Sequence, residues 1–423
     1  MQKITTLLIF YNLALWLFAG IVQIAALFHP KARLFTQGRR QQFKRLREAV
    51  PAETAIAWFH CASLGEFEQG RPVMEAYRQK HPQHYILLSF FSPSGYEVRK
   101  KYEGADYVCY LPVDTPRNAR RFLNIVRPCT AVFIKYEFWH NYLYLLKKQN
   151  IPTYLVSAVF RPSQIFFKWY GGFFRKMLKV YRCLLVQDDM SAKLLKDIHI
   201  ERVVVAGDTR FDRVYAHTRQ PADLPVLKTF TQNALTIIAG SSWASDEERL
   251  AEAMEVLPDN VRIVFAPHEV HEEHIVSIER LFKKYHPLRY STGQQSAIGS
   301  QQLARVLIID TIGLLLSTYS YGQIAYVGGG FDANNGVHNT LEPAAYGLPV
   351  LFGPVYQKYV EAIDLVNNGG GKSVTNTAEL IACLQEWTLY PEKRQEAGRF
   401  SADYVEKKRG ATEKVAAIMN DEC

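Results

Sequence analysis

"AIAWFHCASLGEFEQGRPVMEAYRQKHPQHYILLSFF", residues 55–91, changes rhythm twice. An apolar run, Ala55–His60, breaks at a Ser-Leu-Gly turn and yields to an amphipathic stretch over Glu66–Lys80. A second apolar run follows at Tyr85–Phe91. Short apolar runs separated by helix-length amphipathic segments are the pattern of parallel βα units. The pattern continues through Asp106–Pro112, Ala131–Glu137, Thr153–Val159, Cys183–Gln187 and Arg202–Gly207. Thr209 to Pro225, with Pro221 and Pro225 among mixed charges, reads as a linker. The rhythm then restarts with Leu235–Gly240, Val261–Pro267, Arg305–Asp310, Gln323–Val327 and Pro349–Phe352, and a charged tail from Pro391 reads as helical. The expected class is α/β: two doubly wound domains facing a cleft, one over residues 31–220 and one over 221–423 that includes the C-terminal helix.

A chain of 423 residues exceeds one ordinary core, which agrees with two or three domains. At 48% hydrophobic and 22% charged residues it is globular rather than disordered. The net charge of +9 points either to an anionic partner or to a solvated basic face, and composition does not choose. Cysteines at 61, 109, 129, 183, 383 and 423 form no C-x-x-C pair. Reduced thiols in a cytosolic compartment fit this better than a disulfide framework or a zinc site. Thr5–Phe28 contains no charged residue and is long enough to cross a hydrocarbon core of about 30 Å. A cleaved signal peptide would have a shorter apolar region and a small-residue cleavage site. Lys31, Arg33, Arg39, Arg40, Lys44, Arg45 and Arg47 follow, with Glu48 the only nearby acid. The positive-inside rule then makes residues 1–30 a single-pass anchor, with everything after it cytoplasmic.

In open parallel sheets ligands bind beyond the carboxyl ends of the strands, so the residues just after these runs are the candidates. Glu66 ends the first loop, where a carboxylate could take a proton from an acceptor hydroxyl, or simply begin a helix. Glu137 sits among aromatics in "KYEFWHN" (135–141), as a buried partner of a basic group or as part of a site. Arg210 in "GDTRFD" (207–212) could neutralise a carboxylate or phosphate, or be a surface residue. In the second half, "GSSWASDEE" (240–248) and "APHEVHEEH" (266–274) each follow a strand, as does "GGGFDANNGVHNTLEPAAYGLPVLFGP" (328–354). Gly328, Gly330 and Ala333 fit G-x-G-x-x-A, but the loop lies late in the chain and no acid ends the next strand. Glycines there permit a tight turn and close approach of backbone to a ligand. Asn339 reads as the N-cap of a helix over Thr340–Tyr346, and Glu342 as its first-turn acid or as a carboxylate for a ribose diol. No D-x-D occurs, so the usual cue for a metal holding a sugar diphosphate is missing.

Together "HCASLGE", "KYEFWHN", "GDTRFD", "DTIG" and "GVHNTLEPAAYGLPVLFGP" resemble the motifs of 3-deoxy-D-manno-octulosonic acid (Kdo) transferases. These are GT-B type glycosyltransferases with two Rossmann-like domains. The resemblance spans nearly the whole chain. It implies transfer of Kdo from a CMP-Kdo donor to lipid A precursor (lipid IVA) at the inner leaflet of the inner membrane, in lipopolysaccharide synthesis. It also implies an inverting reaction with no metal, no cofactor and no nucleic-acid partner. Glu66 takes the place of the family's proton acceptor, and Glu137 that of a transition-state stabiliser. Arg210 stands where Lys is usual, which keeps the charge and changes the reach. CMP contacts carry over to Pro267 and His268, to Ile312, Gly313 and Leu314, and to Asn339, Thr340, Leu341 and Glu342. His268 replaces a usual Arg, and Leu314 a usual Glu. Read without the resemblance, the residues leave two alternatives open. One is a GT-B transferase using another nucleotide sugar and lipid; the other is a membrane-tethered nucleotide-binding module.

Overall fold

The computed structural model describes residues 2–293, 304–332 and 336–420, so Ala333 and Cys423 lie outside the described residues. The chain divides into two compact units, Met1–Asp212 with Arg409–Cys423, and Arg213–Lys408. Among the described residues each unit holds one seven-stranded sheet, and every strand pairing is parallel.

The first sheet has the order β3-β2-β1-β4-β5-β6-β7. Its strands are β1 (Ile56–Cys61), β2 (Tyr85–Phe90), β3 (Tyr107–Tyr110), β4 (Thr130–Ile134), β5 (Thr153–Ala158), β6 (Cys183–Val186) and β7 (Val203–Val205). β1 is buried along its whole length, and its alternating side chains feed two cores. Ile56 and Trp58 join the cluster on one face, and Ala57, Phe59 and Cys61 the cluster on the other. That two-sided burial is why the segment reads as continuously apolar. Burying a side chain such as Trp58 or Phe59 contributes roughly 1.5–3 kcal/mol each. The Nε1–H of Trp58 is satisfied by Ser89 Oγ at 2.8 Å.

The apolar N-terminus forms α1 (Gln2–Ala25), of which Thr6–Ala25 is long and apolar enough to cross a membrane. The basic flank folds into α2 (Pro30–Gly38) and α3 (Gln42–Ala49). Between them Arg39 has a different role from the other basic residues. Its guanidinium donates to the carbonyls of Phe35, Phe91 and Leu111 and lies 3.5 Å above the Phe35 ring. It ties the N-terminal helices to the sheet rather than facing outward. After β1, α4 (Leu64–Lys80) begins two residues earlier than the amphipathic pattern suggests.

The second sheet has the order β10-β11-β9-β8-β12-β13-β14. Its strands are β8 (Leu235–Ser242), β9 (Val261–Pro267), β10 (Leu288–Arg289), β11 (Val306–Ile308), β12 (Ile324–Val327), β13 (Val350–Phe352) and β14 (Gly371–Ser373). β8 is two-faced in the same way as β1, with Ile237 and Ala239 in one core and Ile238 in the other.

Two sequence expectations need correction. The segment expected to be a linker is mostly helical, over Thr209–Arg219 and Pro225–Thr231. Pro225 occupies the first turn of its helix, where a missing N–H costs nothing. The last helix, Ala411–Asn420, belongs to the first unit and not the second. Val415 and Met419 complete the apolar cluster beside α4, and Asp212 accepts the N–H groups of Gly410 and Thr412 at 2.7 Å each. Among the described residues no cysteine is in a disulfide; Cys61, Cys109 and Cys183 are buried, Cys383 is partly so and Cys129 is exposed.

Candidate active site

Strand order reverses between β1 and β4 in the first unit and between β8 and β12 in the second. At such a reversal the loops after neighbouring strands diverge and open a crevice, the usual ligand position in this class. Glu66, Glu137 and Asn339–Glu342 follow strands at these two points, Pro267–His268 close the neighbouring β9, and Arg210 and Ile312–Leu314 follow the more distant β7 and β11.

In the first unit, Glu66 follows β1 and Glu137 follows β4. Glu66 sits in the first turn of α4, and its carboxylate Oε2 accepts from the backbone N–H of Ser63 at 2.8 Å and from Ser63 Oγ at 3.2 Å. This is a capping box, which fixes both the helix start and the carboxylate's position. The structural and the chemical readings of Glu66 are therefore compatible. Burial raises its pKa above the ordinary glutamate value, the charge of Glu137 adds to this, and the Ser63 bonds partly offset it.

Glu137 is buried, and its Oε2 lies 2.9 Å from His60 Nε2 and accepts from Trp139 Nε1. His60 Nδ1 lies 2.8 Å from Ser89 Oγ, which already accepts from Trp58. Nδ1 also lies 3.0 Å from the Ser89 carbonyl oxygen, and a buried chain of polar contacts runs Trp58–Ser89–His60–Glu137. His60 is the group against which Glu137 is buried, and the contact is compatible with either reading of Glu137. Sequence reading named His60 only as part of a motif. Arg210 opens the helix after β7, with its guanidinium 2.7 Å from Asp208 Oδ2 and its N–H on Asp208 Oδ1. The preceding Thr209 donates to the Gln69 carbonyl of α4 at 2.5 Å, anchoring that turn one helical turn beyond Glu66.

In the second unit, the loops after β8, β9 and β12 meet in a stacked trio of rings. His268 lies 4.6 Å from Trp243 and 4.4 Å from His338, centroid to centroid. Trp243 Nε1–H donates to His338 Nε2 at 3.0 Å. An indole nitrogen only donates, so Nε2 of His338 must accept, and the neutral ring carries its proton on Nδ1. Burial, helped by nearby His268, lowers the His338 pKa to about 4, which keeps the ring neutral at physiological pH. Beneath the trio, Asp246 accepts from Trp243 N–H, Tyr326 Oη and Gly329 N–H at 2.7–3.0 Å. Those bonds lock the loop after β8 to the loop after β12.

Gly329 has φ +88°, and a Cβ there would lie 2.4 Å from the Gly336 carbonyl oxygen. At Gly330 a Cβ would collide with Gly353. The close approach made by these glycines is of backbone to backbone within the loop. Asn339 Oδ1 accepts from Leu341 N–H at 3.1 Å, and its amide donates to Glu342 Oε1 at 3.0 Å. The helix that follows spans only Leu341–Ala345, shorter than the Thr340–Tyr346 expected. So short a helix offers little dipole, and anion contact here falls to side chains. Thr340 and Leu341 are fully buried, so Asn339 and Glu342 supply the reachable side chains of this block. Pro267 is buried while His268 is exposed. Ile312 is 86% exposed, Gly313 has φ +93° with open space where a Cβ would stand, and Leu314 packs into the core beside Tyr319. Trp243, Asp246 and His338 were missed as site residues, although all three follow the strand-end rule that found the others.

Residues 37–213 match the family described as 3-Deoxy-D-manno-octulosonic-acid transferase (kdotransferase). The 3-deoxy-D-manno-octulosonic acid transferase of Aquifex aeolicus is 27% identical over 82% of this chain and 91% of its own. That of Haemophilus influenzae is 25% identical over 86% of each. Among solved structures, a UDP-GlcNAc 2-epimerase from Neisseria meningitidis covers 87% of this chain and 98% of its own, with a TM-score of 0.57 at 15% identity. MurG from Acinetobacter baumannii covers 87% and 99%, with a TM-score of 0.54 at 11% identity. These structural likenesses concern the fold alone, the two doubly wound units of the GT-B type. The sequence matches run from the first unit into the second, and the relatives named here are 3-deoxy-D-manno-octulosonic acid transferases, to which the chain is similar.

Proposed function

We propose that this chain transfers Kdo from CMP-Kdo to a lipid A precursor, lipid IVA, at the cytoplasmic face of the inner membrane. The observation that supports this best is the paired carboxylates at the first sheet's strand reversal, one pinned with a raised pKa and the other buried on His60. They lie within the segment that matches the transferase family.

The step is one inverting displacement. An acceptor hydroxyl oxygen bonds to the anomeric carbon of Kdo while that carbon's bond to the CMP phosphate oxygen breaks. The hydroxyl proton passes to Glu66, and CMP leaves with the electron pair. A carboxylate whose pKa is raised toward the working pH is a stronger base than an ordinary glutamate. Its two Ser63 bonds occupy one oxygen and aim the other. Glu137 and Arg210 act on charge developing during transfer. In the second unit Glu342, oriented by Asn339, takes the ribose diol. The loops at Pro267–His268 and Ile312–Leu314 flank the nucleotide, and His338 Nδ1–H is a neutral donor available to the phosphate.

The test is incubation of the purified chain with a CMP-Kdo generating system and tetraacylated lipid A precursor, followed by mass spectrometry. Gain of one or more Kdo masses is expected. No gain with this acceptor, together with transfer from another nucleotide sugar, overturns the assignment.

A further inference from the structure

A helix that crosses a bilayer is surrounded by lipid along its length, and α1 is not free to be. Leu8, Tyr11, Asn12, Leu15, Ala19 and Val22 are among its half-buried positions and form one stripe at helical spacing. Tyr11 Oη donates to Asp114 Oδ2 at 2.7 Å and accepts from the His140 N–H at 3.2 Å. The Asn141 amide donates to Asn12 Oδ1 at 3.0 Å. Asp114 is fully buried and also accepts the N–H groups of Asn141 and Tyr142, so Tyr11 completes an existing polar centre of the domain. Two turns further on, the Phe18 ring lies 6.0 Å from Phe35 and 6.2 Å from Phe91. From Leu8 to Val22 is about 21 Å of helix at 1.5 Å per residue, against a hydrocarbon core of about 30 Å. Most of the apparent span thus has one face exposed and the other half-buried against the first unit. The two most polar residues of the run, Tyr11 and Asn12, are the ones that face it.

The opposite stripe, including Phe10, Leu13, Trp16, Leu17, Ile21 and Ile24, is exposed and apolar. Beside it, Phe173 touches Tyr11 and leads back to Trp169, 91% exposed, and Tyr170. Lys31, Arg33, Arg40 and Lys44 lie exposed on the segments that follow α1, and none has a hydrogen-bonded carboxylate among the described residues other than the solvent-exposed Lys44–Glu48 pair at 4.0 Å. Apolar stripe, interfacial aromatics and unneutralised cations form the surface of an in-plane amphipathic element.

We propose that α1 is a docked, in-plane helix: it binds lengthwise to the first unit through Tyr11–Asp114 and Asn12–Asn141, and rests its outer stripe in a bilayer with anionic headgroups. Both of its ends then lie on the cytoplasmic side. This concerns topology, and its test reads topology whether or not Kdo transfer is the activity. Lys3→Cys is introduced into the full-length chain, and spheroplasts with an intact inner membrane are treated with a membrane-impermeant maleimide. Mass spectrometry then locates the label. In-plane docking leaves Cys at position 3 unlabelled until the membrane is opened or inverted vesicles are used. Labelling in intact spheroplasts means that α1 crosses the membrane and overturns the proposal. In parallel, the purified chain is sedimented with vesicles of anionic and of zwitterionic phospholipid. At least tenfold more binding to the anionic vesicles is expected. Equal recovery without vesicles as a dimer that occludes Trp16 assigns the stripe to a second copy and also overturns it.

Discussion

Glu66→Gln separates the capping role seen in the structure from the proposed role as proton acceptor. Glutamine at this position keeps an oxygen that can accept from Ser63 N–H, since the capping box tolerates either residue. What it loses toward stability is the charge near the helix start, about 0.3–1 kcal/mol. An opposing contribution comes from burial. A carboxyl whose folded pKa is raised adds stability below its ordinary pKa of 4.5, and that stability is lost as pH rises through the folded value. At pH 7 the ionised group is therefore under strain that glutamine relieves. The two effects are small and opposite, so the melting temperature should move by no more than roughly 2–4 °C. Turnover should behave quite differently. Loss of a general base costs roughly 10²–10⁴-fold, or about 2.7–5.4 kcal/mol of barrier. The assay is single-turnover transfer followed by mass spectrometry across pH 4.5–8. The parent should show an acid limb above the ordinary glutamate range, and the residual rate of the variant should lack it. Turnover within about threefold of the parent, or an acid limb that survives substitution, would refute the assignment.

Glu342→Gln should weaken CMP binding by roughly 1.5–3 kcal/mol, while the melting temperature moves little, because its contribution to a five-residue helix is small. Calorimetric titration decides this, and unchanged affinity with a lower melting temperature assigns Glu342 to helix capping. Trp243→Phe keeps the stack but removes the indole donor, so His338 is free to change tautomer. CMP affinity should fall roughly threefold to tenfold, and nitrogen NMR should show Nδ1 no longer exclusively protonated. With His338 held near pKa 4 against an ordinary 6.5, the unfolded chain gains a proton that the folded one refuses. Stability should therefore fall as pH drops from 6.5 toward 4, and His338→Phe should flatten that dependence of the urea midpoint. Arg39→Met strands three carbonyls and should cost the first unit roughly 2–4 kcal/mol in urea unfolding; a loss under 1 kcal/mol would show water replacing the guanidinium.

The sheet-forming residues were legible because buried parallel strands leave an apolar signature in the chain itself. Val261–Pro267 is found with the bounds expected, and Ala55–His60 is shifted by one residue. Leu288–Arg289 and Gly371–Ser373 had no such signature, since edge strands of two or three residues exist only by pairing with a neighbour. Glu66 was legible because its loop, cap and helix are contiguous. The Trp243–His338 bond was not, since it joins residues 95 apart that meet only once strand order is known. Arg39 shows the converse. A basic run marks a charged flank, yet one of its members serves packing, and only the positions of three carbonyls and three rings reveal which.

The return of Ala411–Asn420 to the first unit makes the second unit an insertion within it, bounded by Asp212 and Lys408. During synthesis, residues 213–408 are therefore complete before the first unit can close. Until then the flank of α4 lacks Val415 and Met419, and both acceptors of Asp212 await Gly410 and Thr412. The nascent first unit waits with an open apolar seam while its insert folds. The same seam backs the helix whose first turn holds Glu66. A cargo fused after residue 423, or a chain cut at Lys408, would act on the Glu66 carboxylate from behind, through the helix that it caps.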